Sequence, residues 1–204
     1  MIKKYSVLTC LVVSMILIVV AATKYPGGSL VDKNADGFHW SKNFISNLFA
    51  ETAINGKENK GRIWAVIGMA FHSIGYGVFF INMSTKLSQS KWARSLRFIG
   101  FANLLFIFLI ATPLHDLGTI SIVLTLAGLF TITIFILNTK LNLLKYCSVI
   151  CLLTYYVFFM FYGLGYLEWT AIMQKVYVLS SLLLVIGLEY FSKKEDFINM
   201  RPYK

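Results

Sequence analysis

The residues best able to do chemistry are three histidines, with a serine and an aspartate beside two of them. His39, His72 and His115 all lie towards one end of the predicted helices. Zinc accepts three or four imidazole or carboxylate ligands that converge within about 2.3 Å of the ion. The pattern therefore predicts a zinc site with His72, His115 and Asp116 as ligands. Ser73 is then the candidate catalytic residue, because its hydroxyl would orient the attacking water.

A structural explanation of the same residues is favoured over the metal site. Counted from Ile63, His72 lies about 14 Å along its apolar run, whereas His115 stands at the end of another. Pro113 would let the end that carries His115 bend into the bundle. Proline has no backbone N–H, so one carbonyl oxygen of the preceding turn loses its helical hydrogen bond. Without that bend, Asp116 caps the following helix, and His72 is a core histidine bonded to a neighbouring helix. No third histidine or cysteine lies at a ligand-like helical offset from either histidine.

Six apolar runs must position these side chains. The chain is 57% hydrophobic and only 14% charged, which is unlike a soluble domain of 204 residues. Each run is close to the ~20 residues that a helix needs to cross ~30 Å of hydrocarbon. The sequence predicts an all-α fold, an integral membrane bundle of six transmembrane helices that forms one domain, residues 1–204. The runs are 7–23, 63–83, 98–114, 119–139, 146–167 and 171–191.

Lysine and arginine alternate from side to side along these runs. Twelve of the 19 lie on the side of the two termini, and six of the other seven lie in one long loop, 24–62. The positive-inside rule predicts a multi-pass protein of the cell membrane, with both termini and the tail 192–204 in the cytoplasm. Run 7–23 also has the layout of a signal peptide, whose removal would leave five spans.

The net charge of +10 predicts the class of partner. The cations are spread over four short segments beside the spans, and the sequence contains no recognisable nucleic-acid module. Membrane lipids with anionic headgroups are therefore the expected partners, and nucleic acid is not.

The long loop is expected to fold over the outer mouth of the bundle, because it contains aromatic and aliphatic residues. Within it, 44–49 is predicted to belong to a short amphipathic helix. Segment 32–37 matches the first half of a calcium loop. Asn43 stands where the second half needs a glutamate, so a turn is favoured over a calcium site.

Three features of the runs are assigned packing roles. Ser73 and Gly77 form a small-residue pair that lets another helix approach. The aromatic segment 155–162 is expected to be lipid-facing or core surface, with the wall of a lipid groove as the alternative. Lys175 and Glu189 lie near opposite ends of the last run and need not pair.

Three parts of the long loop stand out, namely Tyr25-Pro26-Gly27-Gly28, 40–48 and Asn59. They resemble the domain-of-unknown-function 998 family of six-span membrane proteins. More distantly they resemble the Frag/DRAM/Sfk group, which also has a long first outer loop with an isoleucine-serine motif. Where a typical relative has an acidic residue after Ile45-Ser46, this chain has Asn47. The resemblance implies a six-helix membrane domain without an established reaction.

Two functions follow as expectations. The first is a non-catalytic membrane protein that binds or senses lipid through an outward-facing polar pocket. The alternative is a metal-dependent hydrolase of a lipid amide or ester, built on the zinc site above. A transporter is a weaker third, because charged mid-span residues and paired broken helices are missing. Whether the chain is an enzyme stays open, since no phosphate-binding glycine loop or nucleophile elbow occurs in it.

Overall fold

A computed structural model describes residues 5–87, 90–109 and 115–197. The described residues form six α-helices and two short 3₁₀ helices, Ile45–Phe49 and Lys194–Phe197, and contain no strand. The predicted all-α bundle of six helices is confirmed. The helices are α1 (Ser6–Thr23), α2 (Arg62–Lys86), α3 (Ser90–Leu109), α4 (His115–Ile136), α5 (Asn142–Gly163) and α6 (Leu167–Phe191).

Four of these helices, α1, α2, α5 and α6, are long and apolar enough to cross a membrane. The chain is therefore a membrane protein. Helix α4 contributes a shorter apolar stretch, Ile120–Ile136, among its described residues. Helix α3 begins eight residues before its apolar run, because lysine and arginine are good helix formers and continue the helix into polar surroundings. A six-span arrangement fits these helices and stays a prediction.

Glycines allow α2 to pack closely against α3. A Cβ atom built on Gly77 would lie 3.0 Å from the carbonyl oxygen of Gly100, and one on Gly100 would lie 2.8 Å from the carbonyl oxygen of Gly77. The two backbones are thus in direct contact. The predicted packing role of Gly77 is confirmed.

At the end of the bundle that carries the chain termini, here the termini end, α6 returns to α1 and α2. The Lys86 ammonium donates to the carbonyl oxygens of Leu188 (2.9 Å) and Glu189 (2.8 Å). The Asn82 amide donates to the Glu189 carboxylate at 2.6 Å, and the Leu8 N–H donates to the Tyr190 hydroxyl at 3.0 Å. Helix α6 therefore closes the bundle here. Glu189 has its contacts at this end and Lys175 does not, as predicted.

The loop between α1 and α2 has a fixed internal structure. The buried Asn59 amide donates to the carbonyl oxygens of Leu48 (3.0 Å) and Ala50 (2.9 Å), and its oxygen accepts from the Gly61 N–H. The Tyr25 hydroxyl accepts from the backbone N–H of Ile54. Burial raises the pKa of Tyr25, so the phenol stays neutral. These bonds hold the loop as a compact layer on one end of the bundle, here the loop end.

Segment 32–37 is a turn within this layer. The Asn34 N–H donates to the Asp32 carboxylate, which is the bond of an Asx turn, and Gly37 supplies a positive φ of 68°. Asn43 is fully buried. Its side chain donates to the Gly28 carbonyl oxygen and accepts from the His39 N–H. Asn43 thus holds the loop together, and the structure agrees with the favoured turn interpretation.

Candidate functional site

A cavity of about 660 Å³ lies inside the bundle beneath the loop. Its walls come from α1, α2, α4, α5 and α6, and residues 40–49 of the loop cover part of its opening. Helix α6 contacts α1 and α2 at the termini end, as described above. The cavity therefore occupies the loop-end half of the bundle.

One wall is an aromatic stripe on α5, defined by Tyr155, Phe158, Phe159 and Tyr162. These positions are spaced i, i+3, i+4 and i+7, so they share one face of the helix. Tyr156, between them in sequence, is 67% exposed on the outside of the bundle. The alternative prediction for this segment, the wall of a groove, is confirmed in its geometry; the lipid itself stays a prediction.

Other lining residues, from α2 and α6, carry polar groups. The hydroxyls of Tyr76 and Ser181 share a hydrogen bond of 2.7 Å in the buried interior. The His72 ring stacks on Tyr76 with 4.5 Å between ring centroids. All three residues line the cavity. Within the described part of the chain, the His72 imidazole has no hydrogen-bond partner, so its nitrogens are available to a bound molecule.

The loop is held over the cavity by two consecutive residues of α6. The backbone N–H of Ile45 donates to the side-chain oxygen of Gln174 at 2.7 Å. The Lys175 ammonium donates to the carbonyl oxygens of Asn43 and Ala171. The predicted folding of the loop over the mouth of the bundle is confirmed. The predicted short helix is also present, as the 3₁₀ helix Ile45–Phe49, whose last two side chains are buried.

The structure describes only part of the predicted zinc site. His72 lines the cavity, whereas Ser73 is buried and is not among the described lining residues. Helix α4 begins at His115, and the side chains of His115 and Asp116 lie outside the described part. Among the described residues no three histidine, cysteine or acidic side chains come together. The zinc site stays a prediction.

Ser73 is placed where no reaction partner is evident. Its hydroxyl is buried and has no hydrogen-bond partner among the described residues. It lies one residue, and so about 100° around the helix, from His72. The candidate catalytic role of Ser73 therefore depends on side chains outside the described part.

No family model, curated protein or solved structure matches this chain. The resemblance to the six-span family stays a prediction.

Two cavity residues were not singled out from the sequence. Gln174 is an isolated amide in the last apolar run, and such residues are by default functional candidates. Ser181 follows it by seven positions, which places both on one face of a helix. This spacing was the available signal. The spacing does not reveal the hydrogen-bond partners of Gln174 and Ser181, because these partners, Ile45 and Tyr76, are remote in sequence.

Proposed function

We propose that this protein binds a lipid in the cavity under the loop, as a non-catalytic membrane protein that carries or senses it. The observation that supports the proposal is the amphipathic lining. The aromatic stripe of α5 offers a surface for acyl chains, and α2 and α6 offer polar groups for a headgroup. A membrane protein meets lipids as its most abundant amphipathic neighbours.

The dimensions of the cavity support one bound molecule. Pockets that hold small ligands span about 300–1,000 Å³ and are lined mainly by apolar and aromatic residues with a few polar ones. At about 660 Å³ this cavity lies in the middle of that range. It would enclose an acyl chain and part of a headgroup.

The charge distribution supports a location and an orientation. Most lysines and arginines lie at the termini end. By the positive-inside rule, the protein would reside in the cell membrane with both termini in the cytoplasm and the cavity opening outward. The family resemblance is part of this proposal, since Gly28, Asn43 and Asn59 are among its residues and all three hold the loop.

The experiment is to fill the cavity. Val178 lines it, whereas Val176, two residues away on the same helix, is 40% exposed on the outside. Native mass spectrometry of protein purified in mild detergent measures the bound lipid. We expect one lipid per protein in the wild type and in Val176→Phe. Val178→Phe should lower lipid affinity at least tenfold, about 1.4 kcal/mol. Equal lipid occupancy in all three proteins would contradict the proposal.

The metal-dependent hydrolase is the second candidate, and the His72 imidazole favours it because it faces the cavity without a protein partner. Metal analysis of protein never exposed to a chelator tests it. The hydrolase requires about one zinc per chain, lost in His72→Ala and retained in His39→Ala, whose imidazole lies in the loop. Metal-free wild-type protein would exclude this candidate and leave lipid binding intact.

A further inference from the structure

We infer that the cavity selects lipids with an anionic headgroup, which Lys175 and Gln174 bind beneath the loop. The inference rests on the lipid binding proposed above and names the class of ligand. The shared chemistry is a negatively charged group, phosphate or carboxylate, attached to an acyl chain.

Lys175 has a donor left for a ligand. An ammonium group carries three N–H donors. Two of them meet the carbonyl oxygens of Asn43 and Ala171. Lys175 also lines the cavity, so its third donor is within reach of a bound molecule. The two carbonyls fix the ammonium at the boundary between loop and cavity.

Among the residues that the structure describes, no opposite charge lies beside Lys175. The single ion pair among the described residues is Arg62–Glu51, whose side chains are 37% and 77% exposed. No described lining residue is acidic. Glu189, on the same helix, is 14 residues away, about 21 Å by helix rise. A partly buried cation without a counter-charge is costly, and a bound anion would offset that cost.

Gln174 adds neutral donors next to this charge. Its side-chain oxygen accepts from the Ile45 N–H, which fixes the orientation of the amide. The NH₂ group is on the other side and has no partner among the described residues. Gln174 lines the cavity with Lys175. Together they offer N–H donors and a positive charge, which suits an acceptor-rich anion.

The rest of the cavity is suited to the acyl chain. The aromatic stripe of α5 lies on another wall, and Ile18 and Met69 add apolar surface from α1 and α2. A zwitterionic lipid would fill the same volume. Its headgroup has no net charge and would bring a quaternary ammonium near Lys175. Discrimination between lipids should therefore come from the charge of the headgroup.

The test compares lipids that share acyl chains and differ in the headgroup. Delipidated full-length protein is titrated with phosphatidylglycerol or phosphatidylcholine, with oleate as a third arm, and binding is measured by native mass spectrometry. We expect phosphatidylglycerol to bind at least tenfold more tightly than phosphatidylcholine. If oleate also binds at least tenfold more tightly than phosphatidylcholine, that result would identify a free carboxylate as the source of the anion. Oleate binding no better than phosphatidylcholine would identify a phosphate headgroup.

Charge variants assign the preference to Lys175. Lys175→Gln should reduce the preference for phosphatidylglycerol over phosphatidylcholine to about twofold or less. The glutamine amide keeps a donor for the Asn43 carbonyl oxygen and lacks the positive charge. Lys175→Arg should retain the preference. Lys24→Gln is the matched control, since Lys24 is an exposed cation of the loop between α1 and α2. An undiminished preference in Lys175→Gln would overturn the inference.

Comparison of the wild type with Val178→Phe separates the two proposals. Equal affinity for phosphatidylglycerol and phosphatidylcholine, both abolished in Val178→Phe, would overturn the inference and support lipid binding in the cavity. Lipid binding that is insensitive to Val178→Phe would overturn the proposed function itself.

Discussion

The two ends of the bundle differ in what α6 touches. At the termini end α6 contacts other helices directly. The Lys86 ammonium of α2 donates to carbonyl oxygens of α6, and the Tyr190 hydroxyl of α6 accepts from the Leu8 N–H of α1. At the loop end, the hydrogen bonds of Gln174 and Lys175 reach the loop instead. One helix is therefore part of a closed bundle at one end and the wall of a cavity at the other.

This difference indicates how a small helical protein makes room for a cavity. Helices that touch at one end and diverge leave a wedge of space at the other. A loop covers this wedge without filling it, because it is a thin layer held by hydrogen bonds such as those of Asn59. Under the proposed function the termini end serves stability and the loop end serves lipid binding, so the two should respond separately to substitution.

The largest effect is expected for Gly28→Ala at the loop end. Gly28 has a φ of 82°, and an added Cβ would overlap the Asn55 nitrogen and lie 2.8 Å from the carbonyl carbon of Ile54. Left-handed strain and a clash with backbone together should cost about 3 kcal/mol or more. We expect trypsin to cut the loop about 100-fold faster, because the folded loop protects its lysines.

Gly56→Ala is the matched control for this substitution. Gly56 also has a φ of 82°, and an added Cβ would meet nothing within 4 Å. It therefore carries the strain without the clash, about 1 kcal/mol, and should speed cleavage roughly fivefold. Equal rates in the two variants would mean that the loop does not pack as described.

A smaller effect is expected for Lys86→Met at the termini end. The change removes two charged hydrogen bonds to α6 and a cation that lies near the Glu189 carboxylate. We expect a loss of about 2 kcal/mol, which would lower the melting temperature in detergent by about 4–8 °C.

Lipid affinity is the readout that separates the two ends in this experiment. Lys86→Met should leave it unchanged at temperatures where the protein is folded. Lys140→Met, which removes an exposed cation, is the control for charge. Reduced lipid affinity in folded Lys86→Met would show that the ends are coupled, contrary to the comparison above.

The helices of this fold were predictable because each apolar run contains its own signal. Five of six runs lie almost wholly within observed helices. The third run begins eight residues after the start of α3. Charged residues with high helix propensity extend this helix, and hydropathy does not include them in the run. The sequence also contained a signal for the cavity wall. This signal is the helical spacing of its aromatic residues, Tyr155, Phe158, Phe159 and Tyr162.

The contacts of the loop were not predictable from the sequence. By position, Asn43 stands where a calcium loop has a glutamate ligand. Its actual partners, Gly28 and His39, depend on how the loop turns back. Gln174 binds a backbone N–H 129 residues away. Such pairs become neighbours only after the helices have packed, so no local pattern reports them.

The smallest effect expected is at the hydrogen bond between Gln174 and Ile45. Gln174→Leu removes the acceptor of the Ile45 N–H and should favour local opening of the loop by about 1 kcal/mol, or fivefold. Hydrogen–deuterium exchange of the peptide that covers 40–49 measures this opening directly. Tyr190→Phe removes the corresponding acceptor at the termini end, that of the Leu8 N–H. It should leave exchange in 40–49 unchanged and increase it near Leu8. If either variant sped exchange at both ends, local opening would spread along α6, and the cavity cover would not move independently of the bundle that supports it.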